Sequence, residues 1–488
     1  MTGSALVALL AALAALLVPL LLGRQVVRAL AGDRLAAALG RAGEWGFAFG
    51  AGLTLVGVAL GIAYAARMPA PGPTAAIAAL GAWGLLAWRA RRRGAPSPAV
   101  RLTEPPSAPL ARVVQLAGWL LLAALLAVVG VASWRTAAGF PDAHLVWLLR
   151  GKVLYLDQGF DGSYFRSWQT AHDNRAYPPL ISLATAWMHE FARDADARAA
   201  KLLSVAFLAA LLAVAHGVLR RALGCGAALA LTLALAGCTT LVMLGIWGIA
   251  DLPLAYQVLC AGALLLVADE PLLLRLLAFP VAGAVLTKNE GQPVALAIAA
   301  ACALRLLLAR RGAADAAGLG RRLARTLGRV AAVLAPAALL LGAWWGLAAS
   351  LGLPLQFMKP EAGVETGASR PQLAQLVAHE MAARAAEPSW LPGWIGFFVV
   401  TLLLAVRAML RRGVDGSDEA LSRCLAAATI VVLTGLAYTW VLSGYEGDLP
   451  YLLRLSAGRI VAHTYPLALV VAACGAAALL GRPATLAQ

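Results

Sequence analysis

The sequence predicts an all-α polytopic membrane protein with about thirteen transmembrane helices and short juxtamembrane helices outside the cytoplasm. Of the 488 residues, 61% are hydrophobic and only 13% are charged, whereas soluble domains carry about 25% charged residues. Apolar runs of roughly 20 residues, the length that crosses a bilayer, also recur from end to end. The predicted spans lie near residues 5–23, 45–66, 74–90, 114–134, 200–219, 225–246, 253–268, 272–287, 291–309, 327–350, 392–411, 423–442 and 457–480.

The basic residues orient these spans in the membrane. The chain carries 40 Lys and Arg against 24 Asp and Glu, which gives a net charge of +16. Much of the Arg lies in short connections such as 89–93, 310–325 and 407–412, and the positive-inside rule places such connections in the cytoplasm. This distribution favours contact with anionic membrane lipids, and no nucleic-acid partner is expected. We expect a multi-pass protein of a bacterial inner (cytoplasmic) membrane, with its N-terminus outside the cytoplasm.

The best candidate for a domain boundary is a polar segment after the third predicted span. Residues 91–113 are rich in Pro and Arg, which is typical of a linker, and they are expected in the cytoplasm. Residues 1–90 are predicted to form a three-helix transmembrane extension. Residues 114–488 are predicted to form the main transmembrane domain, with outer loops at 135–199 and 351–391.

The first outer loop contains the longest polar interruption of the apolar pattern, residues 140–179. A loop of this length is functional or disordered, and its many aromatic residues argue against disorder. Apolar residues recur at helical spacing from Asp142 to Leu156, which predicts a short helix lying in the membrane interface. The apolar run from Leu180 to Phe191 is too short to span, so we expect a second surface or re-entrant helix there.

Ionisable residues gather at one predicted end of the spans, whereas the span centres are almost free of them. A charged residue at the edge of the hydrocarbon costs free energy unless it is paired or functional. The residues that the predicted topology places at the extracytoplasmic end include Asp142, Asp251, Lys288, Glu290, Arg459 and His463. The pattern therefore predicts a functional site at this membrane face.

Five short motifs occur at these positions: PDAHLVWLL after the fourth span, AYPPL before the next helix, ADLPLA and LTKNEG at span ends, and GRIVAHTYPLAL in the last span. Their order and sidedness resemble the GT-C class of membrane glycosyltransferases, which includes the bacterial aminoarabinose transferase and the protein O-mannosyltransferases. The resemblance covers residues 114–488 and gives residues 1–110 no role. The sequence differs from the family pattern at Ala143, where the aminoarabinose transferase group usually has a second acidic residue. The substrate subgroup therefore stays open.

The resemblance implies an inverting enzyme that moves a hexose or pentose from a polyprenyl phosphate to a hydroxyl of a lipid, glycan or protein acceptor. In this chemistry a carboxylate takes the hydroxyl proton, and cations stabilise the departing phosphate. Asp142 would be the general base, and Lys288, Arg459 and Arg150 would bind the donor phosphate. Structural alternatives are a helix cap for Asp142, headgroup contacts for Lys288 and Arg459, and a solvated face or a pair with Asp142 for Arg150.

The other candidate residues would bind substrate, and they are Trp147, Tyr177, Asp251, Glu290, His463 and His144. The two aromatic residues could stack on the sugar or the prenyl chain, although interfacial aromatics need no such role. Asp251 also fits a cap before Pro253, and His463 fits a group at a helix end. No metal ion or other cofactor is expected, because Asp142 and His144, two residues apart on a helix, point in different directions.

Two other functions stay open on the sequence alone. A transporter or flippase of lipid-linked glycans would favour ionisable groups near mid-span and inverted repeats, and neither is evident in the sequence. A polymerase or ligase of lipid-linked glycans would share the chemistry and the donor class at the outer face.

Overall fold

A computed structural model of the chain describes residues 3–92, 109–136, 142–160, 163–166, 176–308, 318–353, 369–410, 418–445 and 448–481. Within these ranges the chain is helical and has no strand. A π-helical turn, Ala143–Trp147, precedes α5. The α-helices are α1 Gly3–Ala31, α2 Arg34–Ala65, α3 Pro71–Arg92, α4 Pro109–Arg135, α5 Leu148–Asp157, α6 Ser163–Arg166, α7 Leu180–Ala192, α8 Ala197–Leu223, α9 Cys225–Ala236, α10 Thr239–Trp247, α11 Asp251–Val267, α12 Glu270–Leu276, α13 Ala278–Thr287, α14 Gly291–Leu308, α15 Leu319–Ser350, α16 Arg370–Ala385, α17 Leu391–Leu410, α18 Asp418–Leu442 and α19 Leu449–Leu479.

Among the described residues, ten helical segments are long and apolar enough to cross a membrane, and one of them is α12 together with α13. The chain is therefore a multi-pass membrane protein, as its composition predicts. Helices α9 and α10 meet at an angle of 61° and make an eleventh span if they are counted together. The other two of the thirteen predicted spans coincide with α3 and with α11, which has only 17 residues. The helical architecture is confirmed, and the count of thirteen stays a prediction.

Helix α11 lies at the centre of the bundle. Its sequence is apolar on every side, as expected of a helix surrounded by others, and all of its residues are buried. A Cβ atom on Gly262 would lie 2.1 Å from Cδ1 of Leu467, so glycine allows α11 and α19 to pack this closely. On the α2 side, the Tyr256 hydroxyl donates a hydrogen bond to the carbonyl oxygen of Gly46 at 2.7 Å. These contacts hold α11 between α19 and α2.

The N-terminal helices pack into the same hydrophobic core as the rest of the bundle. Pro19 lies inside α1, and because proline has no N–H, it leaves the carbonyl of Ala15 without its helical donor. The buried indole N–H of Trp187 on α7 donates to this carbonyl at 2.8 Å. A Cβ atom on Gly52 would lie 1.7 Å from the Pro19 oxygen, so α1 and α2 touch at their backbones. The predicted domain division stays a prediction, and residues 93–108 of the predicted linker lie outside the described residues.

The first outer loop contains the two short helices that its pattern predicts. The π-helical turn and α5 cover the first of them, and α7 is the second. A Cβ atom on Gly151 would lie 2.4 Å from Cβ of Thr185, so α5 and α7 are in close contact. Residues Leu180 to His189 are buried, because α7 packs against α1, α2 and α8. The burial excludes the surface alternative of the prediction and leaves the re-entrant one open. In the second outer loop α16 is described, whereas residues 354–368 lie outside the described residues.

Candidate functional site

Asp251 is the centre of a polar cluster at one end of the bundle. Gly248 ends α10 in the left-handed conformation, with φ of 78°, which glycine adopts without strain. Helix α11 then begins at Asp251, and Pro253 fits its first turn, where an N–H would have no helical partner. Asp251 is only 2% exposed. Its position at a helix N-terminus favours the ionised carboxylate, because the helix dipole is positive there.

Donors from two other segments surround the Asp251 carboxylate. Lys288 Nζ lies 3.1 Å from Oδ1, and His463 Nε2 lies 2.8 Å from the same oxygen. Arg459 Nη1 lies 3.5 Å from Oδ2. Burying an ionised carboxylate without such partners would cost on the order of several kcal/mol. The structure therefore gives Asp251 a role in an ion-pair network, beyond the helix cap that its sequence position also allows.

Lys288 lies in the tight turn between α13 and α14. A Cβ atom on Gly291 would lie 1.8 Å from the carbonyl oxygen of Ala284, so glycine is needed where α14 begins against α13. Lys288 Nζ also lies 2.9 Å from Glu290 Oε1. Burial by itself lowers the pKa of Lys288, but the carboxylates of Asp251 and Glu290 outweigh it and raise the pKa above its ordinary value. Lys288 is therefore a stable cation in this turn.

Arg459 connects the buried network to Asp142. Its Nη1 atom lies 2.5 Å from Asp142 Oδ2, and its Nη2 atom lies 3.1 Å from Ser456 Oγ. The Asp142 side chain is 41% exposed, whereas that of Arg459 is 12% exposed. Asp142 precedes the π-helical turn but makes no capping hydrogen bond to it. Its carboxylate is thus held by Arg459 and open to solvent, and the capping interpretation is not supported.

His463 extends the network into the bundle and ends at Tyr438 of α18. His463 is fully buried, and its Nδ1 atom lies 3.1 Å from the Tyr438 hydroxyl. The spacing of Arg459 and His463, four residues apart on one helix face, places both side chains toward Asp251. Tyr438 was not among the sequence candidates, since an aromatic residue within an apolar span carries no signal that separates it from the packing residues around it.

Two polar side-chain atoms in the residues that follow Lys288 in the chain are buried without a hydrogen-bond partner among the described residues. They are Oε2 of Glu290 and Nε2 of Gln292. Buried polar atoms are almost always paired, so these two are places where a water molecule, an ion or a polar ligand would bind. Glu290 was a sequence candidate, whereas Gln292 was not.

Arg150 lies in a different environment from the one predicted for it. Its guanidinium donates to Ser182 Oγ and to the carbonyl oxygens of Tyr177 and Pro178, each at 2.8 Å. Burial lowers the pKa of Arg150 to about 10. These contacts hold the turn that precedes α7, and none of them involves Asp142 or Asp251. A role for Arg150 in phosphate binding stays a prediction that its contacts do not support.

Tyr177, which belongs to that turn, lies close to the charged residues of the polar cluster and packs against Trp147. Their ring centroids are 5.3 Å apart. The carboxylate of Glu290, together with burial, raises the pKa of Tyr177, so its phenol stays protonated beside the cluster.

The side chain of the remaining candidate, His144, lies outside the described residues. The structure thus brings together Asp142, Asp251, Lys288, Glu290, Arg459 and His463, with Tyr177 and Trp147 beside them.

The arrangement combines two chemical abilities. A partly exposed carboxylate can accept a proton from a hydroxyl group, and the adjacent cations can stabilise an anion where water is largely excluded.

Within the described part of the chain, no group of three or more His, Cys, Asp or Glu side chains is placed to hold a metal ion. Comparisons with protein-family models, with curated proteins and with solved structures found no match.

Proposed function

We propose that the chain is an inverting glycosyltransferase of the GT-C type, which moves a hexose or pentose from a polyprenyl phosphate to a hydroxyl group of a lipid, glycan or protein. The observation that carries this proposal is an ion-pair network in which Arg459 contacts both the solvent-accessible carboxylate of Asp142 and the buried carboxylate of Asp251, while Lys288 contacts Asp251. These groups come from separate segments of the chain. Strongly coupled ionisable groups of this kind mark functional sites more often than chance.

The reaction assigns one task to each group. Asp142 accepts the proton of the acceptor hydroxyl as its oxygen forms a bond to C1 of the sugar. The bond between C1 and the phosphate oxygen breaks on the opposite face, and the polyprenyl phosphate leaves with the electron pair. Lys288 and Arg459 stabilise the negative charge that develops on that oxygen. Displacement from the opposite face inverts the configuration at C1.

Two unpaired polar atoms, one on Glu290 in the cluster and one on Gln292 two residues later in the chain, favour a polar substrate. Oε2 of Glu290 can accept a hydrogen bond from a sugar hydroxyl, and Nε2 of Gln292 can donate one. Tyr177 offers a ring face on which a sugar can stack, whereas Trp147, which was also a candidate for stacking, is only 3% exposed and packs against Tyr177. A phosphate alone would leave the Glu290 oxygen unpaired, because both are acceptors, so the glycosyl part of the donor suits this position better.

The proposed site lies at the extracytoplasmic side of the bacterial inner membrane. The support for this side is the charge distribution in the sequence, since the Arg-rich connections belong at the opposite ends of the helices. A polyprenyl chain would reach the site through the bilayer. The partners are then the lipid-linked sugar, the acceptor and the surrounding lipids, and no cofactor is assigned.

The direct test uses the purified protein in lipid nanodiscs, a polyprenyl phosphate carrying a radiolabelled sugar, and an acceptor fraction extracted from membranes. We expect label to enter the acceptor with release of equal amounts of polyprenyl phosphate, and Asp142→Asn to abolish this transfer. Asp157→Asn, an exposed carboxylate at the end of α5, is the matched control and should keep full activity. If the protein releases no polyprenyl phosphate, the proposal is wrong.

The same protein in sealed vesicles separates the alternatives. A transporter or flippase would move the intact labelled lipid across the vesicle membrane without cleaving it. A polymerase or ligase would transfer preassembled glycans instead of single sugars, and would therefore give products that differ in size from those of a single-sugar transfer.

A further inference from the structure

The cluster holds more negative than positive fixed charge. Three carboxylates, those of Asp142, Asp251 and Glu290, face the two cations Lys288 and Arg459. A neutral His463 therefore leaves one carboxylate in excess. An anionic donor would increase this excess, and like charges repel more strongly in a partly buried site than in bulk water. The affinity for an anionic donor is therefore higher if the site gains a positive charge.

The Tyr438 hydroxyl gives His463 a means of gaining that charge. It lies 3.1 Å from His463 Nδ1 and 3.4 Å from the carbonyl oxygen of Glu290. Since the Asp251 carboxylate accepts, His463 Nε2 carries a proton. When His463 is neutral, Tyr438 donates to Nδ1. When Nδ1 is also protonated, it donates to the Tyr438 oxygen, and the hydroxyl turns its own hydrogen to the Glu290 carbonyl.

We propose that His463 takes up one proton from water when the anionic donor binds, and that Tyr438 reverses its hydrogen bond to accommodate it. Both protonation states of His463 then keep a partner on each ring nitrogen, so the proton is gained without an unpaired buried group. His463 acts through Asp251 and is a positioning residue in this scheme. The inference rests on the proposed function, because it requires that the ligand be an anion.

The groups that face His463 are few and come from each element around it. They are Asp251 on α11, Lys288 and Glu290 in the turn before α14, and Tyr438 on α18. Arg459 lies one turn away on α19 itself. Burial and Lys288 oppose an added positive charge on His463, whereas the two acidic groups favour it. The negative charge of a bound anion adds to the favourable side and promotes protonation.

The test measures binding of a farnesyl methyl phosphodiester to the full-length protein in nanodiscs. This probe is chosen because a phosphodiester has no second ionisation near neutral pH, so any proton exchanged belongs to the protein. Calorimetry in buffers of different ionisation enthalpy counts the protons taken up. We expect uptake that approaches one proton, and an affinity that falls by up to about tenfold per pH unit as the pH is raised from about 6.5 to about 8.5.

His463→Gln is the informative variant, because the amide can still donate to Asp251 but cannot gain a proton. We expect it to bind the probe with no pH dependence, and Tyr438→Phe to lose most of the proton uptake. His189→Gln changes a buried histidine on α7 that contacts the Asp194 carbonyl, and it should keep the wild-type pH dependence. This control also identifies any effect of a histidine substitution on folding.

The possible results separate this inference from the proposed function. Binding without proton uptake, or an unchanged uptake in His463→Gln, would overturn the role of His463 and leave the glycosyltransferase proposal standing. Failure of the wild-type protein to bind any polyprenyl-type phosphodiester would overturn both.

Discussion

Asp142 and Arg459 are 317 positions apart in the sequence, yet their side chains meet at 2.5 Å. Through the same guanidinium nitrogen, Arg459 also reaches the buried Asp251 at 3.5 Å. One cation thus joins a carboxylate that is open to solvent with a carboxylate that is closed off from it. The orientation of Asp142 therefore depends on the last helix of the chain, and substitutions in either segment should affect the same reaction step.

Asp142→Asn should lower transfer by about 10²- to 10⁴-fold, the range usually contributed by a general base. The melting temperature should change little, because the carboxylate is partly exposed and an amide still accepts a hydrogen bond from Arg459. Initial rates with the labelled donor and thermal unfolding in detergent provide the two measurements. Asp157→Asn is the control, and full activity of Asp142→Asn would show that another group takes the proton.

Lys288→Met should destabilise the protein by about 3–5 kcal/mol, because it leaves the buried Asp251 carboxylate with too little positive charge around it. Adding Asp251→Asn to this variant should restore part of the loss, since the unpaired charge is then removed. Unfolding in mixed detergent micelles measures both effects. Lys152→Met, at an exposed position on α5, should be neutral, and a double variant less stable than the single one would contradict the pairing.

The stabilisation by Lys288 should not vary between about pH 6 and pH 9. The pKa of Lys288 is raised above its ordinary value of 10.5, so its contribution is fully present below that value and is lost only as the pH rises through the higher, folded-state pKa. The difference in unfolding free energy between the wild type and Lys288→Met, measured across this range, provides the check. A difference that shrinks between pH 7 and 9 would mean that burial dominates over Asp251 and Glu290.

Arg150→Lys should reduce transfer activity while leaving the affinity for a phosphodiester unchanged within about twofold. Lysine cannot reproduce the fork of hydrogen bonds to Ser182, Tyr177 and Pro178, and loss of buried bonds from a charged donor costs about 1.5–3 kcal/mol each. The turn that carries Tyr177 should then loosen. A tenfold or greater loss of phosphodiester affinity would instead support the phosphate-binding role that the sequence resemblance implies.

Gly291→Ala should displace the turn that carries Lys288, because the new Cβ atom would lie 1.8 Å from the Ala284 oxygen. We expect a loss of at least about 1–3 kcal/mol in stability and a comparable loss of transfer activity. Gly342→Ala on α15 has no atom within 4 Å of the new Cβ. It should be neutral or stabilise the helix by up to about 1 kcal/mol, which makes it the matched control in the same measurement.

The sequence predicts most of the helical segments, because apolar runs and polar interruptions depend only on local composition. It does not reveal that the predicted span near 225–246 is two helices bent by 61°, since no proline or charged residue marks the break at Gly237 and Cys238. It also does not predict the burial of α7. That helix is too short to span, and only the tertiary packing of α1, α2 and α8 encloses it.

The polar cluster could be predicted only in part, for related reasons. Asp251, Lys288 and Arg459 stand out because charges near apolar spans are rare and costly. The direction in which a side chain points depends on the fold. No local pattern therefore indicates that Arg150 donates to the carbonyl oxygens of Tyr177 and Pro178. Tyr438 lies in an apolar span, where nothing distinguishes an aromatic ring that donates to a histidine from one that only packs.

The bond between Trp187 and Ala15 has a consequence for how the protein is made. Pro19 leaves the carbonyl of Ala15 in α1 without a helical donor. The indole N–H that donates to this carbonyl belongs to Trp187 of α7, which is synthesised much later. The ribosome therefore releases α1 into lipid before its hydrogen bonding is complete. The hydrogen bonding of α1 is completed only after α7 has been made, and deleting the first ninety residues would remove part of the hydrophobic core.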